Sequence, residues 1–270
     1  MMSELLLKKY RLLKKSNNLN AFPIKSVRDL LVTELTNDLW MVVSSDSDGG
    51  IGPKKFDTVF SPPYDLGRLG ARVPLMEMIA SGSTPLLVVD VLAVEMDPTG
   101  KEIIKGVIDE AVEAGMNNST VVTGSTEDNV QTVQTGMGVV IIGLVEKKDF
   151  NPGKSVKGDI VVSIGKPKSA PEFKVLYNDP EIANTKTVRL LNQLPFVHDI
   201  LPVGSKGIKH EFYEIGKSAR LLPYYFDVEE VDISKSAGPS TCCLVSLNKK
   251  YFKKLKSNID KPITLIGELR

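Results

Sequence analysis

Trp40-Met-Val-Val-Ser44 is a short apolar run of the kind that forms a buried strand, and it leads into Asp46-Ser-Asp-Gly-Gly-Ile-Gly52, a polar, glycine-rich segment. A rigid strand that delivers carboxylates and glycines at its end is a common way to hold a functional loop. Upstream, Ser3 to Lys15 sets Leu5, Leu6, Leu7, Leu12 and Leu13 among lysines, which predicts a short amphipathic helix. Ser16 to Ala21 is polar and reads as loop. Downstream, Leu69, Val73, Met76 and Ala80 recur at helical spacing, so a helix is expected over Arg68–Ser81, closed by Gly82. Pro74 leaves the start of that helix open.

Further along, Pro85 to Met96 is β-rich, and Asp97-Pro98-Thr99 is a helix start with Pro at the first helical position. Ile103, Val107, Ile108, Ala111 and Val112 form the stripe of that helix, which ends at Gly115. Ser119–Thr123 and Gly136–Val145 read as strands, separated by the polar turn Gly124–Asn129. Lys147–Gly158 is charged, contains Pro152 and Gly153, and is the best linker. A second domain then opens with the strand Gly158–Gly165. Helices are expected around Thr185–Leu194 and Ile208–Leu221, and strands at Thr241–Leu247 and Ile263–Leu269. Strands and helices mix without strict alternation, which favours an α+β fold over a doubly wound sheet.

The chain has 270 residues, room for two modest domains or one large one. Its 34 basic and 33 acidic residues leave a net charge of +1, so no global field argues for nucleic acid or membrane as a partner. The basic N-terminal run (Lys8, Lys9, Arg11, Lys14, Lys15) is read as a solvated helix face. Cys242 and Cys243 are adjacent, poorly placed to bridge each other, and make no metal spacing. They fit a reduced, cytoplasmic protein. No stretch is apolar for long enough to span a membrane.

Chemistry is concentrated in three polar clusters and one isolated acid. Asp46, Ser47 and Asp48, followed by Gly49, Gly50, Gly52, Lys54 and Lys55, offer hard oxygen ligands, close backbone approach and positive charge. A polar β-turn accounts for the same residues equally well. Thr123-Gly-Ser-Thr-Glu-Asp-Asn129 packs hydroxyls, carboxylates and an amide into one turn, as a helix cap or surface loop also would. His198-Asp199, Gly204-Ser-Lys-Gly207 and His210-Glu211 invite a metal or acid–base reading, against the plainer one of a loop entering a helix. Glu77 lies between apolar neighbours on the Arg68–Ser81 helix, so it either points to solvent or faces a cation.

The order of Trp40–Asp46, Arg72–Gly82, Val121–Thr126 and Gly136–Gly143 resembles that of the aminoimidazole-ribonucleotide-synthase-like (PurM-like) superfamily. Asp46 ends the strand that resembles the family's metal-binding strand. Glu77 takes the acidic place of its Asp-Leu-(small)-(small)-Met-Gly-Ala helix, and Thr123-Gly-Ser-Thr resembles its Gly-Gly-Asp-Thr turn. Within that superfamily, Asp46–Gly52, Glu95–Gly100 and Thr123–Asn129 look like the α-ribazole kinase branch.

The resemblance implies ATP- and Mg²⁺-dependent phosphorylation of the 5′-hydroxyl of α-ribazole. It also implies a homodimer joined through N-terminal sheets. The organisation expected is a helical extension over 1–35, a mixed-sheet or half-barrel ATP-binding and dimerisation domain over 36–150, and a C-terminal α/β domain over 155–270. On this basis Asp46, Asp48 and Glu77 hold Mg²⁺, with Glu127 or Asp128 helping. Asp46 and Ser47 meet the nucleotide, Gly49, Gly50 and Gly52 give backbone donors, and Lys54 or Lys55 gives charge. Thr126 and Asn129 orient phosphate or metal-bound water, Glu95 contacts the ribose or azole, and Asp199 approaches the substrate hydroxyl as base or orienter. Two departures stand out. Ser125 occupies the usual aspartate position, and Gly238-Pro-Ser-Thr241 replaces the Gly-Gly-Glu-Asp run of thiamine-monophosphate kinases.

Overall fold

The computed structural model describes residues 2–16, 21–116 and 121–270. Chain order begins with α1 (Met2–Ser16), β1 (Ile24–Val27), β2 (Leu30–Glu34), β3 (Leu39–Gly49), β4 (Ile51–Gly52), β5 (Val59–Phe60) and α2 (Pro63–Ala80). It continues with β6 (Thr84–Leu92), α3 (Lys101–Glu113), β7 (Val122–Ser125) and β8 (Gly136–Glu146). These strands form an open six-stranded mixed sheet in the order β1-β2-β3-β8-β6-β7, in which β6 and β7 alone run parallel. No closed barrel forms among the described residues.

The second half comprises β9 (Asp159–Ile164), α4 (Thr185–Asn192), β10 (Val197–Pro202), α5 (Gly207–Ala219), β11 (Pro223–Tyr225), β12 (Cys243–Asn248), α6 (Phe252–Asn258) and β13 (Ile263–Leu269). Its five-stranded sheet has the order β10-β12-β9-β13-β11 and is antiparallel throughout. The whole is α+β, as expected. Among the described residues no helix is long and apolar enough to cross a membrane.

Burial explains the two kinds of strand. In β8 every second residue, Met137 to Val145, is buried, which marks a sheet packed on one face only. Every residue of β9 is buried, because helices or loops cover both faces. Val162 and Ile164 join the core that holds Val42, Leu75, Ile103 and Ile141, whereas Val161 packs with Phe212 and Ile266. Helix α2 lies on the inner face of the first sheet. There Ser44 on β3 donates its hydroxyl to Pro74 O at 2.8 Å. Close approach of α3 to α2 requires Gly67, where a Cβ would meet Ile103 O at 2.0 Å.

Several local expectations change. Asp46 to Gly49 lie within β3, not in a loop, because pairing with β8 continues to Gly49↔Gly136. The expected helical extension over 1–35 is helical through Ser16, but residues 24–34 form β1 and β2 and add to the sheet. The helix expected from Asp97 begins at Lys101, since Asp97 is extended (φ −118°, ψ 120°). Residues 119 and 120 of the expected Ser119–Thr123 strand lie outside the described residues, and so do 17–20 of the Ser16–Ala21 loop.

Candidate active site

A cavity of about 750 Å³ opens between the two halves, lined from the first by β3, β5 and α2 and from the second by residues 169–176, 202–211 and 236–240. Asp46 and Asp48 stand on the face of β3 that meets α2, two residues apart and therefore on the same side of the sheet. Gly70 of α2 makes room for them: a Cβ there would lie 2.8 Å from Asp48 Oδ2. Glu77, two turns further along α2, lines the same cavity. Of the two alternatives for Glu77, solvent or cation, the cavity wall is where it lies.

Sequence reasoning missed Asp29 as a member of this wall and undervalued Glu211. Asp29 sits in the tight turn between β1 and β2, after Arg28 in the left-handed region (φ 54°). Glu211 projects from the first turns of α5, across the cavity. A carboxylate in a turn between short strands carries no periodic signal. His210-Glu211 at a helix start was visible but indistinguishable from a surface position.

The electrostatics are those of crowded acids. Burial, then repulsion from Asp29, Asp46 and Glu211, pushes the Glu77 carboxyl well above its usual range. Burial and the neighbouring Asp46 raise Asp48 to about 6. Burial and Asp29 raise Glu211 to about 7, against the Gly204 N–H and Arg28, which favour its ionised form. Asp46 is raised by burial, partly offset by a bond from the Ser47 N–H. Glu77 Oε2 is buried without a hydrogen-bond partner among the described residues.

That orphan oxygen and the surplus of hard oxygen donors fit a divalent cation. Among the described residues no three carboxylate, histidine or cysteine groups converge as a ready-made metal site. Such a donor set suits a Mg²⁺ that keeps water or phosphate oxygens as its remaining ligands. Lys174, Lys206, His210 and the hydroxyls of Ser169, Ser205, Ser236 and Ser240 line the same cavity, with Phe60, Leu69, Phe173 and Leu176 as its apolar surface.

Other expected site residues do not reach this cavity. Asp199 is fully buried (0% exposed) and held by Arg28 Nη1 and Nη2 at 2.9 and 2.5 Å and by the Gly153 N–H at 3.0 Å. Its expected approach to a substrate hydroxyl is therefore corrected: both carboxylate oxygens are engaged in a buried ion pair. Lys54 pairs with Glu95, whose other oxygen accepts from Thr99 at 2.5 Å. Lys55 lies over the Phe56 ring. Thr126 donates to Asp128, Asp128 accepts the Met96 N–H, and Glu127 accepts the N–H groups of Asn129 and Val130. These contacts make 126–130 a self-bonded turn beside Glu95. Gly49, Gly50 and Gly52 lie at the end of β3 and in the following turn, with Gly50 at φ 71° and Gly52 at φ 152°.

Residues 28–145 match the family model described as AIR synthase related protein, N-terminal domain. This segment resembles that domain, over less than half of the chain. The match starts at Arg28, one residue before Asp29, and so takes in Asp29, Asp46, Asp48 and Glu77 but not Glu211. The chain is 26% identical over 225 residues to the selenide, water dikinase of Pseudomonas straminea, covering 78% of this chain and 61% of that protein. In fold it matches T. maritima PurL complexed with ATP, at a TM-score of 0.65 and 15% identity, over 98% of this chain and 48% of that one. It also matches the thiamine-monophosphate kinase of Stenotrophomonas maltophilia K279a, at a TM-score of 0.59 and 13% identity, over 98% and 93% of the two chains. The likeness in fold to these two structures extends through both halves. The chain spans about three fifths of the length of the dikinase and about half that of PurL.

Proposed function

We propose that this chain is an ATP-dependent, Mg²⁺-requiring phosphotransferase that acts on a small hydroxyl-bearing substrate, with the 5′-hydroxyl of α-ribazole as the acceptor. The carrying observation is the cavity between the halves, where Glu77 is surrounded by Asp29, Asp46 and Glu211. Carboxylates crowded in this way need a cation, and phosphoryl transfer is the chemistry that brings one with its phosphates. The choice of acceptor is supported by the motif resemblance of Asp46–Gly52 and Thr123–Asn129, together with a cavity large enough for a nucleoside.

In this reading Asp46, Asp48 and Glu77 hold Mg²⁺, which when bound neutralises phosphate charge. Ser47 and the backbone around Gly49, Gly50 and Gly52 position the nucleotide from the end of β3. Lys54 or Lys55, Glu95, Thr126 and Asn129 form a polar surface beyond that end, with Glu127 and Asp128 shaping its turn. Lys174 and Lys206 present positive charge from the opposite wall. Glu211, raised to about 7 by burial and Asp29, replaces Asp199 as the group that accepts or orients the substrate hydroxyl proton. The apolar walls and Phe60 exclude water around the acceptor.

A homodimer completes the proposal. The outer face of the six-stranded sheet carries Val43, Val140 and Ile142, and beside them Leu31 and Val91, about half exposed (49% and 48%). A sheet face this apolar is suited to cover by a second copy.

The test is ADP release by purified protein with ATP, Mg²⁺ and α-ribazole, beside thiamine monophosphate and other nucleosides. ADP formed with α-ribazole alone, with one phosphoryl group added by mass, is the expected result. Free phosphate released in place of a phosphorylated acceptor would point to ligase-type chemistry, and nucleotide binding with no turnover would remove the kinase reading.

A further inference from the structure

Arg28 and Asp199 are the strongest cross-tie between the halves that the proposed reaction does not use. Arg28 occupies the tight β1–β2 turn of the first half, and Asp199 lies on β10 of the second. The guanidinium meets the carboxylate as a two-pronged fork at 2.9 and 2.5 Å, donates from Nε to Ser218 Oγ at 3.1 Å, and reaches Ile200 O at 3.4 Å. Its side chain is 5% exposed and that of Asp199 is 0% exposed. A buried fork of this kind fixes geometry more firmly than it adds stability.

Its sequence neighbour is what gives the fork a use. Asp29 follows Arg28 directly and faces the main cavity, where its charge acts on Asp46, Glu77 and Glu211. A second cavity of about 20 Å³ is walled by Arg28, Asp29 and Glu77 on one side and by Ile200, Leu201 and Pro202 on the other. The fork, the turn and the carboxylates therefore share one boundary. Arg28 also holds a left-handed backbone conformation, which costs a non-glycine residue energy and persists only where surroundings impose it.

We propose that Arg28 and Asp199 are positioning residues for the cation-binding carboxylates: the second half grips the β1–β2 turn and thereby sets Asp29 against Glu77 and Asp46. This rests on the reading of those carboxylates as a cation site. The pair touches neither nucleotide nor acceptor. It fixes where Asp29 stands, and the cluster is complete when the halves are docked.

The test uses the full chain and Mn²⁺ alone as probe, with free Mn²⁺ followed by electron paramagnetic resonance. The double variant Arg28→Met, Asp199→Asn removes both charges at close to native volume and leaves no uncompensated charge buried. It is expected to bind Mn²⁺ at least tenfold more weakly than wild type while unfolding within a few degrees of it. Asp199→Asn alone, which keeps shape and one acceptor, is expected to fall between. In an Asp29→Asn background the double variant should cause no additional loss, because both act through one carboxylate. Wild-type Mn²⁺ affinity in the double variant, or a full additional loss in the Asp29→Asn background, would overturn the positioning role and leave the cation site standing. A wild-type protein that binds no Mn²⁺ would overturn both.

Discussion

Gly70 on α2 and Asp48 on β3 face one another so closely that a Cβ on Gly70 would lie 2.8 Å from Asp48 Oδ2. The helix gives up a side chain at this point and the strand places a carboxylate in the space. Replacing Gly70 by Ala adds about 0.5–1 kcal/mol of helix preference, while Asp48 and the Met137 thioether must move aside. We expect the melting temperature of Gly70→Ala to stay within a few degrees of wild type. Mg²⁺-dependent turnover should fall by about 10- to 100-fold, the scale of a 1 Å misplacement. Steady-state kinetics beside thermal unfolding will check this. Unchanged turnover would detach Asp48 from the reaction.

Asp90 on β6 is 2% exposed, and neither of its oxygens has a hydrogen-bond partner among the described residues. Burial pushes its carboxyl up to about 7. A raised native value means that the native state holds a proton which the unfolded chain has released. Its stabilising contribution is therefore full below about pH 4 and is lost as pH rises to about 7. We expect Asp90→Asn to leave stability near wild type at pH 4 and to raise it at pH 8 by on the order of 2–4 kcal/mol. Urea unfolding at the two pH values decides it; equal effects at both would show that Asp90 does not titrate in this window.

The cluster of Asp46, Asp48, Glu77 and Glu211 couples pH to cation binding. Asp48 near 6 and Glu211 near 7 take up protons as pH falls, and protons compete with Mg²⁺. At pH 8, Mg²⁺ with a non-hydrolysable ATP analogue should stabilise the protein by about 2.7 kcal/mol at a hundredfold excess over Kd. The gain should fade towards pH 5. Glu77→Gln is expected to raise the melting temperature without ligand at pH 8, by removing an acid whose ionised form burial and its neighbours disfavour, and to abolish the ligand-dependent rise. A ligand response that persists in Glu77→Gln would exclude Glu77 as a ligand.

Glu110 is the shared acceptor of Arg68, Arg72 and Thr185. Arg72 is wholly buried and also donates to Tyr177 O at 2.9 Å. Removing one partner of a buried ion pair strands the other, at about 3–5 kcal/mol. Glu110→Gln should show a loss of that size in urea unfolding, and a loss below about 1 kcal/mol would mean that water reaches Arg72.

Val43 on β3 and Ile142 on β8 are register partners on the outer sheet face. If two copies meet there, Ile142→Glu should convert a dimer to a monomer in sedimentation while leaving the far-ultraviolet spectrum unchanged. A wild-type protein that sediments as a monomer would remove the dimer from the proposal.

Legibility in the sequence followed the strength of local pattern. Gly158–Gly165 and Gly136–Val145 were readable as strands because each is a short, mostly apolar run rich in Val and Ile. Glu77 was readable because an acid among buried apolar neighbours demands an explanation. Ile24-Lys-Ser-Val27 was not readable, since a short edge strand with exposed side chains has no period to detect. Asp199 misled because its partner lies 171 residues away, and no spacing rule links a turn arginine to a distant strand. Asp29 was missed for the same reason: its neighbours are assembled by topology, not by sequence.

The two halves are joined at two separate places: Arg28 to Asp199, and the Arg72–Glu110 pair to Tyr177 O and Thr185. Anchors at two places on the boundary make the cleft a vise set to one width. A ligand entering it gains nothing from closure and meets no cost of closing. Discrimination between ligands then falls to size and charge at the mouth, so larger acceptors should be excluded outright and not bound weakly in a half-open form.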